Sequence, residues 1–246
     1  MKKNTYKLIL LGSIFALLSA CGGGGDSAPT ATYTLYYSQD GNPNGLHTID
    51  TTTGVGTIVG AGISGVTGTT SGLAYDENSG VLYGSQPFGI SEINLDGSGF
   101  VDLGGSTQEA LAFDSVDNIF YGCINGTCTT INPVDGTNIA TIAAPGGDVE
   151  GLSVDPATGN VFGLMTGSPA TLMLYDPVAD LWSLIGSTGV NMDNTGLAYH
   201  PVTKVLYAIN RDDGNVYSID PATGVATLIG SHGLGNIGGG LTFVED

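Results

Sequence analysis

Carboxylates are the side chains of this sequence with the number and spacing to do chemistry. Glu109, Asp148, Glu150, Asp193 and Asp213 stand in short polar connections between apolar words, the kind of place where a rigid scaffold carries its binding residues. Acids brought together in this way have two chemical outlets. Crowded carboxylates take up a proton or hold a hard cation, and Asp148, Glu150 and Asp193 are the set expected to do so if they converge. Paired acids can also cleave a glycosidic bond, at a separation of about 5–5.5 Å for retention or about 6.5–9.5 Å for inversion. Glu109, Glu150 and Asp193 are the candidates for that pairing. The competing reading is a solvated acidic rim that keeps a chain with few charges soluble. A second calcium candidate, Asp40, Asn42 and Asn44, matches the opening of a D-x-[DN]-x-[DN]-G loop, but Thr48 and Thr51 stand where its later ligands belong. Calcium is thus the one cofactor with any support. Nucleophilic catalysis has none of its motifs: H-E-x-x-H, G-x-S-x-G and a phosphate loop ending in Lys do not occur. His47, His200 and His232 read as structural or solvated.

The three cysteines divide into one and two. Cys123 and Cys128 flank Ile124-Asn125-Gly126-Thr127, and Asn-Gly between strand-like residues favours a two-residue type I′ turn. The cysteines then form a non-hydrogen-bonded cross-strand pair with Cα atoms about 4.5 Å apart, within reach of a disulfide. Their spacing suits neither zinc nor a C-x-x-C redox site. Cys21 is different. Lys2, Lys3 and Lys7 precede an apolar run too short to span a bilayer, and the run ends in Leu18-Ser19-Ala20-Cys21. That ending resembles the lipobox of bacterial lipoproteins, which implies cleavage before Cys21 and its lipidation. Residues 1–20 are then a signal peptide, and 21–31, beginning Cys21-Gly22-Gly23-Gly24-Gly25, a flexible tether. Gly22 occupies the place where an aspartate retains such proteins at the inner membrane, so the resemblance points to the outer membrane. The expected partner there is the membrane itself, through the anchor.

Beyond the leader the chain holds Lys204 and Arg211 against all 23 acids, a balance of 2 − 23 = −21. With almost no cations to neutralise phosphate, nucleic acid and anionic lipid headgroups are excluded as partners.

The elements that must position these acids repeat. Gly72-Leu73-Ala74-Tyr75-Asp76 returns around Leu111, Leu152, Leu197 and Leu241, at intervals of 38, 41, 45 and 44 residues. Nine residues after each of the first four leucines comes a second word, such as Leu82-Tyr83-Gly84. A third ends in Asp or Asn (Asp50, Asn94, Asn132, Asp176, Asp220), and a fourth closes ten residues later at Gly60, Gly104, Gly186 and Gly230, with Ile142 in the odd copy. Each unit holds four short β-rich segments, the mark of a propeller blade. The first unit begins at a second strand and the last supplies only a first strand. The expectation is therefore an all-β, five-bladed β-propeller of four-stranded antiparallel blades over residues 32–246, its ring closed by the C-terminal strand.

With Asp155-Pro156-Ala157-Thr158-Gly159 and Asp220-Pro221-Ala222-Thr223-Gly224, these repeats resemble secreted bacterial propeller repeats of the WD40-like and YVTN-like kind. The resemblance implies the fold and names no ligand. Strand order assigns the Asp-Pro-x-Thr-Gly turns to one face as structural punctuation, Asp76, Asp114, Asp155, Asp176 and Asp220 included. The opposite face has connections of uneven length and carries the acids listed first. Tyr36, Tyr83, Tyr121, Phe162 and Tyr207 read as blade packing; Trp182 reads as packing or as a surface stacking residue. The function this supports is a lipid-anchored, monomeric extracytoplasmic binding module for a protein or glycan partner, with a glycan hydrolase as the alternative.

Overall fold

The computed structural model describes residues 31–39, 45–60, 70–235 and 238–246. The leader, Cys21 and the tether up to Thr30, and the loop of Asp40, Asn42 and Asn44, lie outside the described residues.

Among the described residues, twenty strands form five four-stranded antiparallel sheets. The first blade contains β1 (Tyr33–Ser38), β2 (Leu46–Ile49) and β3 (Gly56–Val59). The second has β4 (Leu73–Asp76), β5 (Val81–Gln86), β6 (Gly89–Ile93) and β7 (Phe100–Gly104). The third has β8 (Ala110–Asp114), β9 (Ile119–Ile124), β10 (Thr127–Ile131) and β11 (Asn138–Thr141). The fourth has β12 (Val149–Val154), β13 (Val161–Met165), β14 (Thr171–Asp176) and β15 (Leu181–Ser187). The fifth has β16 (Gly196–Tyr199), β17 (Leu206–Asn210), β18 (Asn215–Ile219) and β19 (Ala226–Ser231). The remaining strand, β20 (Leu241–Glu245), pairs antiparallel with β1, from Tyr33 opposite Glu245 to Tyr37 opposite Leu241. It is the innermost strand of the first blade, so the ring closes as the repeats require.

Around the axis β20, β4, β8, β12 and β16 contact one another in sequence. Their leucines, Leu241, Leu73, Leu111, Leu152 and Leu197, are all buried. Together they shut the axial channel, leaving too little space for a water molecule. Five strands make a narrow collar, and glycine precedes four of the five leucines because a Cβ at Gly151 or Gly196 would press into Leu197 or Leu241 of the next blade. Only Ala110 adds a methyl group at that level.

The turn face is built as its sequence suggests. Asp76, Asp114, Asp155, Asp176 and Asp220 each accept the backbone N–H two residues on, at 2.8–3.0 Å. His200 fills the same slot in the fifth blade, and its Nδ1 accepts from Val202 and Thr203. The fourth-word glycines have a second use. In the second, fourth and fifth blades the outer strand bulges just before Gly104, Gly186 and Gly230. A Cβ at Gly186 or Gly230 would strike the carbonyl of Thr223 or Thr53 in the neighbouring blade. The third blade, with Ile142, joins its neighbour differently. There the Ala143 N–H donates to Asp180 and the Ala143 carbonyl accepts from the Trp182 indole, at 2.8 and 2.9 Å. Trp182 is thus packing, ring to ring with Tyr175 and covering Gly163.

Candidate functional site

The uneven face carries the acids, and its centre is a hairpin. Asn125 and Gly126 both have positive φ, 50° and 72°, as a type I′ turn demands. Behind them Cys123 pairs with Cys128 across β9 and β10 in a disulfide, with Cα atoms 4.1 Å apart. Two acids grip the tip. Glu109 accepts the Asn125 N–H and Asp148 accepts the Gly126 N–H, each at 2.9 Å. They come from the connections that enter β8 and β12, so two neighbouring blades hold one turn.

Glu150 completes the group. It occupies the same slot before its leucine as Glu109 does, and it is the extra residue of a β-bulge in β12, between Val149 opposite Met165 and Gly151 opposite Leu164. A bulge re-aims the side chain it inserts. One carboxylate oxygen from each of Glu109, Asp148 and Glu150 lies within 4.8 Å of the others. Oε2 of Glu150 is buried without a hydrogen-bond partner. Its carboxyl is pushed up to about 7, first by burial and then by Asp193, with smaller repulsion from Asp148 and Glu109 and an opposing pull from the Asn194 backbone N–H. Chemically, the trio offers two acids committed to a turn and one carboxyl poised near neutrality. Its three oxygens also present the donor type a hard cation takes.

Asp193 therefore acts on the trio from beside it, where the sequence suggested that it would converge with Asp148 and Glu150. Asp213 belongs elsewhere. It is exposed at the β17–β18 turn and accepts from the Asn215 N–H and, at 2.5 Å, from the Tyr217 hydroxyl.

The opposite mouth holds a cavity that sequence reasoning passed over. Two residues after the recurring leucine, Tyr75, Phe113, Tyr199 and Phe243 line a cavity of about 60 Å³. Val154 takes that place in the fourth blade. The signal was present in the repeated words, since four of five copies carry an aromatic two residues after the leucine, but it reads equally as packing. Glu77 and Asp114 also line the cavity, and the leucine collar forms its floor. Because the collar is closed, the two mouths are separate sites.

No family model matches the chain. No curated protein matches it either. Among solved structures it is similar to a chain of the crystal structure of a nidogen/laminin complex, with 14% identity and a TM-score of 0.60, over 87% of this chain and 98% of that one. At that identity the likeness shows the fold, a β-propeller.

Proposed function

We propose that the protein is a lipid-anchored extracytoplasmic binding module that presents the acidic mouth to a protein or glycan partner. The observation that carries this reading is the clamped hairpin: Glu109 and Asp148 fix the Asn125-Gly126 tip, and beside it Oε2 of Glu150 is buried without a hydrogen-bond partner. A rigid, negatively charged centre surrounded by connections of uneven length suits recognition, because little ordering entropy is lost on binding. The similar propeller chain comes from a protein–protein complex, which supports a protein partner. Leu18-Ser19-Ala20-Cys21 supports the anchor, and Gly22 the outer membrane. The protein acts as a monomer.

Capture from envelope extract and a glycan array, each with wild type and a Glu109→Gln, Glu150→Gln, Asp193→Asn triple variant, test the reading. Loss of a captured ligand in the triple variant is expected. Capture that is unchanged in it places recognition elsewhere. For the anchor, Cys21→Ser should move the protein from the membrane pellet to the soluble fraction, since the lipid contributes about 0.8 kcal/mol per buried CH₂.

Glycan hydrolysis is the second reading, and Glu150 is what favours it. A carboxyl held near neutrality beside other acids is the proton-donating half of a paired-carboxylate mechanism. Release of reducing ends by wild type and not by Glu150→Gln would establish it over simple binding.

A further inference from the structure

The cavity on the turn face is lined by aromatic rings together with Ser115, Ser153 and Thr242, and its charges are of one sign. Tyr75, Phe113, Tyr199 and Phe243 come from four different blades to surround the axis, and the ring of leucines below them excludes water from the channel. Two carboxylates line the same space. Asp114 is 2% exposed, and its Oδ1 takes the Val116 and Asp117 N–H groups of its own turn. Glu77 stands at the opening with no side-chain hydrogen bond among the described residues. Among the described residues no Lys or Arg lines the cavity. Next to it, Phe243 packs on His200 with centroids 4.7 Å apart, and His200 on Tyr33 at 5.4 Å, so the aromatic surface continues past the opening.

We infer that this cavity is a ligand site for a small organic cation of the quaternary ammonium or methylated amine class. Aromatic faces attract a cation through the ring quadrupole, most strongly when the cation sheds its water easily, as an alkylated ammonium does. A metal ion is poorly served here, because one oxygen of Asp114 is engaged by its turn and the Ser153 hydroxyl already accepts the Tyr199 N–H. An anion meets Glu77 and Asp114 with nothing to offset them. The surroundings agree with a vacancy for positive charge. Burial, then Glu245 and Asp76, raise the Glu77 carboxyl above its ordinary value, and burial, then Glu245, Glu77 and Asp76, raise the Tyr75 phenol. Burial lowers His200, which disfavours a competing positive charge beside the cavity. This site is independent of the acidic mouth, and neither reading depends on the other.

Isothermal titration of the full protein with choline and tetramethylammonium tests the inference, with 3,3-dimethylbutanol, the uncharged isostere of choline, as the control. Millimolar or tighter binding of both cations is expected, with no heat from the isostere. Glu77→Gln, a change at an exposed position that leaves packing intact, should weaken choline binding about 3- to 10-fold, and Phe113→Leu should do the same. Glu150→Gln, on the other face, should leave it unchanged. The inference is overturned if neither cation binds, if the isostere binds as well as choline, or if Glu150→Gln and not Glu77→Gln removes binding. A thermal melt of each variant without ligand separates loss of a site from loss of the fold.

Discussion

Deleting residues 240–246 removes β20, and the consequence can be sized from what that strand buries. Leu241, Phe243 and Val244 are 2%, 7% and 2% exposed. At about 1.5–3 kcal/mol for each fully buried apolar side chain, their loss removes about 5–9 kcal/mol. That is the size of the whole stability of an ordinary domain, about 5–15 kcal/mol. The deletion also strips β1 of its five partners on β20 and leaves a central strand as an unpaired edge, which invites association between chains. The truncated protein should therefore lack a cooperative thermal transition by circular dichroism and elute as aggregate, whereas removing residues 22–31 should leave the transition in place. A rescue isolates the cause. Glu245 lies opposite Tyr33, and the Asp246 N–H donates to the Thr32 carbonyl at 3.0 Å, so the two chain segments meet side by side. Moving residues 240–246 ahead of Thr32, joined by a turn of about 2–4 residues, should restore the transition. A deletion that melts within a few degrees of the parent refutes ring closure as the source of stability, as does a transplanted strand that restores nothing.

Three further outcomes follow from the same geometry. Replacing Cys123 and Cys128 with Ser should cost about 2 kcal/mol in the chain-entropy account of so short a loop, lowering Tm by about 4–8 °C with the fold intact by circular dichroism. Glu150, whose folded carboxyl titrates at about 7 against an ordinary 4.5, binds its proton more tightly in the native state, so its penalty grows as pH rises from about 4.5 and is complete above about 7. Glu150→Gln should consequently raise Tm at pH 8 and leave it nearly unchanged at pH 4; equal shifts at both would show that charge is not the cause. The opposite sign applies to His47 and His232, 4% and 1% exposed on either side of Tyr37 with Nδ1 and Nε2 respectively unpartnered. Burial lowers both, and His47 further lowers His232 against a pull from Asp213, so their contribution is present above about pH 6.5 and lost as pH falls through their folded values. His232→Asn, which keeps an acceptor for the Leu234 N–H, should flatten the fall in Tm between pH 7 and 5 relative to wild type.

Most of the ring was legible because its determinants are local and repeated. Leu73 and its four counterparts mark inner strands, and Asp76 or Asp155 marks a turn, through a register and a capping bond that each copy reproduces by itself. The Asn125-Gly126 turn, and with it the Cys123–Cys128 pairing, was legible for the same reason. What escaped depends on neighbours in space. That His200 does the work of an aspartate needs the direction of its Nδ1. That Glu109 and Asp148 share a hairpin tip, leaving Asp193 to one side, depends on a bulge at Glu150 and on contact between blades. The aromatic cavity was hidden by ambiguity: Tyr75, Phe113, Tyr199 and Phe243 follow the pattern of core residues, and only the axis shows that four such positions enclose a space.

The manner of closure also determines how the ring bears a load. The chain enters at Thr32, at the end of β1, and β1 runs from the turn face toward the acidic mouth between β20 on one side and β2 on the other. A pull on the preceding segment, directed away from the turn face, acts along the length of β1. Its cross-strand hydrogen bonds to both neighbours are then strained in shear and must yield together, instead of opening one at a time as they would if an outer strand such as β3 were drawn away from its edge. The blade completed by two distant parts of the chain is therefore the one arranged to resist tension.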